Sequence, residues 1–401
     1  MLAIHTSDWH LGAALGEASR LEEQQRFLQW LGTTIRERGV DTLLVAGDIF
    51  DQANPSAEAQ RTYYTFLRDL GETGLRQVIL TGGNHDSPSR LDAPSELLGN
   101  LGIHVVGGLD ADPESWGRCL CPLRDAGGAV EAVVAAAPFV HEWRLGFRTL
   151  DGTPEERGVL LAACFRAFYG RLADLAEGAF PGVPLLAMGH LACVGSTPRD
   201  APLETHLVGT LGALPADIFD ERFAYVALGH IHRNYAVAGG RAHYCGTPLA
   251  LNAREGATAR QVNLVRLEGG ALALERLPVP AFRQVLEFAG TPDQVRAYLE
   301  DLAWTEPLPA MLSLEVCVER HQPGLEDEVR ALVAAREPRP LLVGLQQTLV
   351  RRGDPEGGDG PAPSLESLEP RDVFRLLCKA KGENADELMA AFETLLGEEN
   401  L

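Results

Sequence analysis

A chain of 401 residues with 45% apolar content is long enough for two or three domains and for a sizeable core. Its formal net charge of −21 excludes a protein that coats nucleic acid through a basic surface, so any polyanionic substrate has to be held by a local site, metal ions or a partner. No apolar run approaches the ~20 residues of a membrane span, and "MLAIHTSDWH" lacks the basic and apolar regions of a signal peptide, so a cytoplasmic protein without membrane contact is expected. Seven cysteines without regular spacing read as buried thiols of a reducing compartment.

In chain order, the first apolar run, Leu2 to Ile4, delivers Asp8 and His10. Residues 20–38 follow with Leu21, Phe27, Leu28, Leu31 and Ile35 on one helical stripe and Gly39 as a stop. A second run, Leu43 to Ala46, ends in Gly47 and Asp48, with Asp51 just beyond; residues 57–70 then carry Tyr63, Tyr64, Phe66 and Leu67 on another stripe. The third run, Val78 to Leu80, ends in Gly82 and Gly83 and then places Asn84, His85 and Asp86 side by side. Further on, "PLLAMGH" delivers His190 and "FAYVALGHIH" delivers His230 and His232. Strands alternating with helices predict parallel β-α-β units with right-handed crossovers, so the polar exits share one edge of a sheet, where open α/β sheets build their sites.

Each of these residues has a plain explanation alone. Asp48 suits a helix cap, His190 a satisfied core histidine, and Asn-His-Asp a turn. Together they put acidic and amide oxygens and several imidazoles at one edge, and a mixed oxygen and nitrogen donor set suits manganese, iron or zinc. The Asp-x-His and His-x-His spacings matter because residues two apart along an extended strand face the same side.

Residues 259–280 read as a hairpin turning at Gly269 and Gly270. From 283 to 350, strand-like "RQVLEF", "LSLEVCVE" and "RPLLVGLQQ" alternate with two helix-like stretches, a small α/β unit. Residues 351–370 have the Gly, Pro and acid content of a linker. Two short amphipathic stripes follow, Val373, Phe374 and Leu377, then Leu388, Met389, Phe392 and Leu395, too short to build a core of their own and in need of a surface to bury against. The expected organisation is therefore 1–280, 281–350, a linker at 351–370 and a helical segment at 371–401. No Walker motif or long heptad run occurs, so an ATPase would be another chain.

The blocks "SDWH", "GDIFD", "GNHD", "GH" and "GHIH", in that order, resemble those of the calcineurin-like metallophosphoesterases. The longer phrases "SDWHLG", "GNHDSPSR", "ALGHIHR" and "YCGTPLALN" are similar to the SbcD family of nuclease subunits within that superfamily. The resemblance implies an α/β fold, a sandwich of two β-sheets flanked by helices over 1–280, with a small α/β capping and DNA-binding domain at 281–350 and a C-terminal helical tail. It implies two divalent ions, manganese first among them, one held by Asp8, His10, Asp48 and His232, the other by Asp48, Asn84, His190 and His230, with Asp48 bridging. In this scheme His85 stabilises the transition state or protonates the leaving oxygen, and Asp86 fixes the tautomer of His85.

The implied activity is that of a DNA nuclease, acting on duplex ends and on hairpin or single-stranded DNA in repair and recombination. The implied partners are DNA, a second copy of the chain, and an SbcC-like coiled-coil ATPase docked by residues 371–401, the whole a heterotetramer. The same site would also serve a metallophosphatase or a cyclic-nucleotide phosphodiesterase acting on a small substrate. The stretch "HEWRLG" from His141 fits none of these blocks.

Overall fold

A computed structural model of the chain describes residues 1–148, 153–194, 214–252, 255 and 259–350, together with 374, 378, 388 and 389. Where β-branched and apolar residues run without interruption, buried strands form. In chain order these are β1 (Leu2–Thr6), β2 (Thr42–Ala46), β3 (Gln77–Thr81) and β4 (Ile103–Val106), then β5 (Leu120–Arg124), β6 (Val130–Ala136), β7 (Leu185–His190) and β8 (Phe223–Gly229). Short β9 (Tyr235–Val237) and β10 (Ala242–Tyr244) precede the long hairpin of β11 (Gln261–Glu268) and β12 (Ala271–Pro278). The two helical stripes fold as α1 (Leu21–Arg38), closed by Gly39 at φ 61°, and α2 (Ala57–Leu70), whose first turn is capped by the Ser56 hydroxyl. A third long helix, α3 (Pro154–Ala179), opens on a capping box between Thr153 and Glu156.

Six strands form the first sheet in the order β12-β11-β1-β2-β3-β4, and six form the second in the order β9-β10-β8-β7-β6-β5. Strands β1 to β4 run parallel, as do β6, β7, β8 and β10. Alternation along the first sheet sorts its side chains to two faces. Ala3, Leu44, Ala46 and Ile79 join the core shared with the second sheet and α3, whereas Ile4, Leu43, Val45, Val78 and Leu80 pack with Phe27, Leu31, Tyr63 and Phe66 of α1 and α2. The product is a two-sheet sandwich with helices outside, as the resemblance implied.

A smaller sheet of three parallel strands follows, β13 (Val285–Gly290), β14 (Met311–Val318) and β15 (Leu341–Leu349), connected by α4 (Pro292–Asp301) and α5 (Leu325–Ala334). It has its own core, built on Val295, Leu299, Leu312, Leu314, Val316 and Val329. Residues 1–349 form one compact unit and residues 350–401 another. Within the latter Phe374 and Met389 are half-buried and Leu388 is exposed, while Val373, Leu377, Phe392 and Leu395 lie outside the described residues, as does the linker at 351–370. Among the described residues no helix is long and apolar enough to cross a membrane. All seven cysteines are free, and five of them are buried.

Candidate metal centre

Asp8, His10, Asp48 and His230 adopt φ of 52°, 46°, 49° and 90°, and only Ala238 joins them among the described non-glycine residues with positive φ. Such a backbone costs roughly 1–2 kcal/mol per residue, and its concentration in four polar residues at three strand exits marks a place where geometry is held against local preference. The hold comes from neighbouring backbone. The amide of Asp8 donates to the Gly47 carbonyl and that of His10 to the Asp48 carbonyl, both at 3.0 Å, which zips the exits of β1 and β2 together. Two glycines make room for the side chains so gathered: a Cβ on Gly47, itself at φ 81°, would collide with the His190 ring, and one on Gly83 with the Asp48 carboxylate.

Seven predicted residues converge here. Asp48 Oδ2 lies 3.2 Å from His190 Nε2 and 3.7 Å from His10 Nε2, while its Oδ1 accepts the His85 amide at 2.9 Å. Asn84 Oδ1 faces two imidazoles, His190 Nε2 and His230 Nδ1, each at 3.0 Å. Asp8 Oδ1 accepts the His230 amide at 2.9 Å, its Oδ2 accepts from the Ser7 hydroxyl, and the ring of His232 lies edge-on to that of His10, with centroids 5.3 Å apart. Ligand atoms of Asp8, His10 and His232 lie within 4.8 Å of one another, and so do those of Asp8, Asp48 and His190.

The donor chemistry fits cations. His190 donates from Nδ1 to the Ala46 carbonyl at 2.9 Å, which fixes its tautomer and turns Nε2 towards the oxygens of Asp48 and Asn84. Burial disfavours charge on His190, yet the Asp48 carboxylate and its hydrogen bond push the imidazole up to about 9. Burial likewise opposes the Asp48 carboxylate, but His190, then His10 and His85, hold it well below the usual range. His230 is pushed down to about 4 by burial and by repulsion from His190. Both nitrogens of buried His10 lack a hydrogen-bond partner, with Asp51 Oδ1 3.3 Å from Nδ1 and Asp48 near Nε2. Oxygens that drive a fully buried imidazole to keep its proton, beside a buried histidine with no hydrogen-bond partner at either ring nitrogen, form a set suited to divalent ions.

Two features depart from the sequence reading. Asp86 does not orient His85: its buried carboxylate accepts the backbone amides of Ile49, Phe50 and Gly83 at 3.0, 2.9 and 2.9 Å and so clamps the loop after β2 onto the loop after β3. Adjacent residues in a tight turn diverge, and the acid is spent on orphan amides. His85, which is exposed, bonds instead through Nδ1 to the main-chain oxygen of Asp51 at 2.8 Å, with its ring edge-on to His10 at 4.9 Å. The second feature is Glu255, which no motif announced. Its buried carboxylate lies 3.3 Å from His232 Nδ1 and also accepts from the Leu251 amide and from Arg260, a carboxylate-histidine arrangement that sets ring orientation. Burial works against its charge, yet the His232 bond and charge lower its pKa.

Residues 1–125 match the family model of calcineurin-like phosphoesterases. The chain is 37% identical over 382 residues to the SbcD subunit of nuclease SbcCD from Rhodobacter capsulatus, an alignment covering 93% of each chain. It is 34% identical to the protein of that description from Escherichia coli K12, over 86% of this chain and 84% of the relative. The Bacillus subtilis counterpart is 33% identical, over 73% and 71%.

Proposed function

The chain belongs to the SbcD family of SbcCD nuclease subunits within the calcineurin-like phosphoesterases, and from that premise we propose a two-metal DNA nuclease of the cytoplasm. It cuts duplex ends and hairpin or single-stranded regions. The observation that carries this reading is the convergence of Asp8, Asp48, Asn84 and the imidazoles of His10, His190, His230 and His232 at the exits of parallel strands from both sheets. Asp8, His10, Asp48 and His232 would hold one ion and Asp48, Asn84, His190 and His230 the other; the mixed oxygen and imidazole donors suit manganese, iron or zinc, and manganese is the metal the resemblance implies first. Such ions, when bound, supply a water nucleophile at neutral pH and neutralise the charge that grows on the phosphodiester.

The chain's own groups do the rest. Asn84 contributes a neutral oxygen, which limits the negative charge that an incoming phosphate meets. His85, with Nδ1 spent on the Asp51 carbonyl, presents Nε2 to the substrate, and its imidazolium form donates a proton from that atom to the departing sugar oxygen. Glu255 holds the His232 ring in its ligating orientation. The relatives carry the nuclease description over most of their length, so a phosphatase acting on a small substrate has nothing specific in its favour.

Residues 371–401 would dock an SbcC-like coiled-coil ATPase, residues 281–350 would cap the DNA, and two copies of the chain would pair within the assembly. The testing experiment gives purified protein and manganese a hairpin oligonucleotide and an aryl phosphodiester, and a joint assay adds the ATPase, ATP and a long duplex. Cleavage of both substrates, with ATP-dependent cutting of long duplex only in the joint assay and lost on deletion of residues 354–401, is the expected result. Turnover of the aryl ester alone would contradict it.

A further inference from the structure

Strand β6 runs parallel to β7, the strand that delivers His190, so the loop after β6 opens at the same edge as the metal centre. This loop contains the unassigned stretch from His141. The Phe139 amide donates to the Gly82 carbonyl at 2.7 Å, which ties the loop to the exit that carries Asn84. From His190 outwards the rings form a series: His190 to Phe139 at 6.4 Å, Phe139 edge-on to His141 at 5.0 Å, and His141 to Trp143 at 6.4 Å with planes only 17° apart. Trp143 ends the series at 48% exposure, unusual for the largest apolar side chain, and the guanidinium carbon of Arg144 sits 4.3 Å from its ring centroid. The turn beneath is closed by three backbone bonds, from Arg144 to His141, Gly146 to Trp143 and Phe147 to Glu142, so the ring is held by a short closed loop.

We infer that Trp143, steadied by His141 and Arg144, is a stacking platform for an unpaired nucleobase of the strand whose phosphate enters the metal centre. The inference rests on the nuclease reading above. A flat ring, already turned outward and flanked by a cation, costs little to order on binding and offers a π-face to any base; Arg144 and Arg148 add positive charge in a chain whose net charge is −21. Bases stacked inside a duplex have both faces covered, whereas an unpaired or splayed base has one free. The platform therefore favours frayed ends, hairpin loops and single strands over intact duplex.

The test is binding of a labelled single-stranded oligonucleotide to the full chain by fluorescence anisotropy in chelator, where no cleavage occurs. W143A should weaken binding by roughly 10-fold and W143F by no more than about 2-fold, the scale of losing or keeping one base-aromatic stack. On an equally long oligonucleotide of abasic sites, wild type and W143A should bind alike. Equal binding of wild type and W143A to the normal oligonucleotide overturns the platform, as does an equal loss on the abasic strand, which would mark a structural effect. If wild type neither binds nor, with manganese, cuts the oligonucleotide while it hydrolyses an aryl phosphodiester, the nuclease reading falls and the platform with it. Cutting by wild type with W143A binding unchanged defeats the platform alone.

Discussion

The sandwich edge and the small sheet of residues 285–349 are both made of parallel strands joined by helices, yet they spend the polar residues at their strand ends differently. In the small sheet β13 leads directly into α4. Thr291 caps that helix, accepting the Gln294 amide at 3.4 Å, while its own amide donates to the Gln294 side chain at 2.8 Å. The polar group at that exit is consumed locally, which stabilises the helix start by about 1 kcal/mol and leaves nothing for chemistry. At the sandwich edge Asp8 and Asp48 sit in left-handed backbone, cap no helix, and turn their carboxylates towards histidines from distant strands. Among the described residues, every group of side chains able to hold a metal comes from that edge. Identical wiring thus yields a scaffold in one place and a site in the other, and the difference lies in backbone strain held by the neighbouring exit.

The largest expected effect that would break this contrast is at Asp48. In Asp48→Ala most of the bound metal should be lost by elemental analysis, and phosphodiester turnover should fall on the order of 1000-fold or more, because in the proposed centre one carboxylate serves both ions. Next is His85→Ala, expected to keep both metals and to lose roughly 100-fold in turnover of an oligonucleotide, the scale of a missing general acid. Metal loss in that variant would place His85 among the ligands. Glu255→Gln should weaken metal affinity by about 10- to 100-fold, since it alters the partner of His232 and not a ligand. Leu314→Ala, in the small sheet's core, sharpens the other side of the comparison. It should destabilise by about 2–5 kcal/mol in denaturant melts yet leave aryl phosphodiester turnover near wild type below the transition.

Much of this was legible because a buried parallel strand writes itself as an apolar run and announces its exit with glycine and a polar residue. Asp48, Asn84, His190, His230 and His232 were found that way, Asp8 and His10 from an exit without glycine, and the structure gathers all seven. The helices α1 and α2 were equally plain from their stripes, whereas α3 carries a capping box but delivers no polar exit that would single it out. Sequence adjacency misled at Asp86: a carboxylate next to His85 in the chain points to backbone amides in the fold. Glu255 was invisible, since its contact with His232 spans 23 residues and comes from a helical residue that no apolar strand run delivers. The stretch at His141 stood out only by fitting no block, and its place beside His190 depends on the pairing of β6 with β7, which no local pattern reveals.

The most direct test of the central claim, that strained exits from both sheets assemble a two-ion centre around Asp48, is anomalous diffraction from crystals grown with manganese. Two peaks about 3.5–4 Å apart are predicted, with the Asp48 carboxylate between them. Asn84, His190 and His230 should border one peak, and Asp8, His10 and His232 the other. A single peak, or peaks that leave Asp48 unliganded, would contradict the claim.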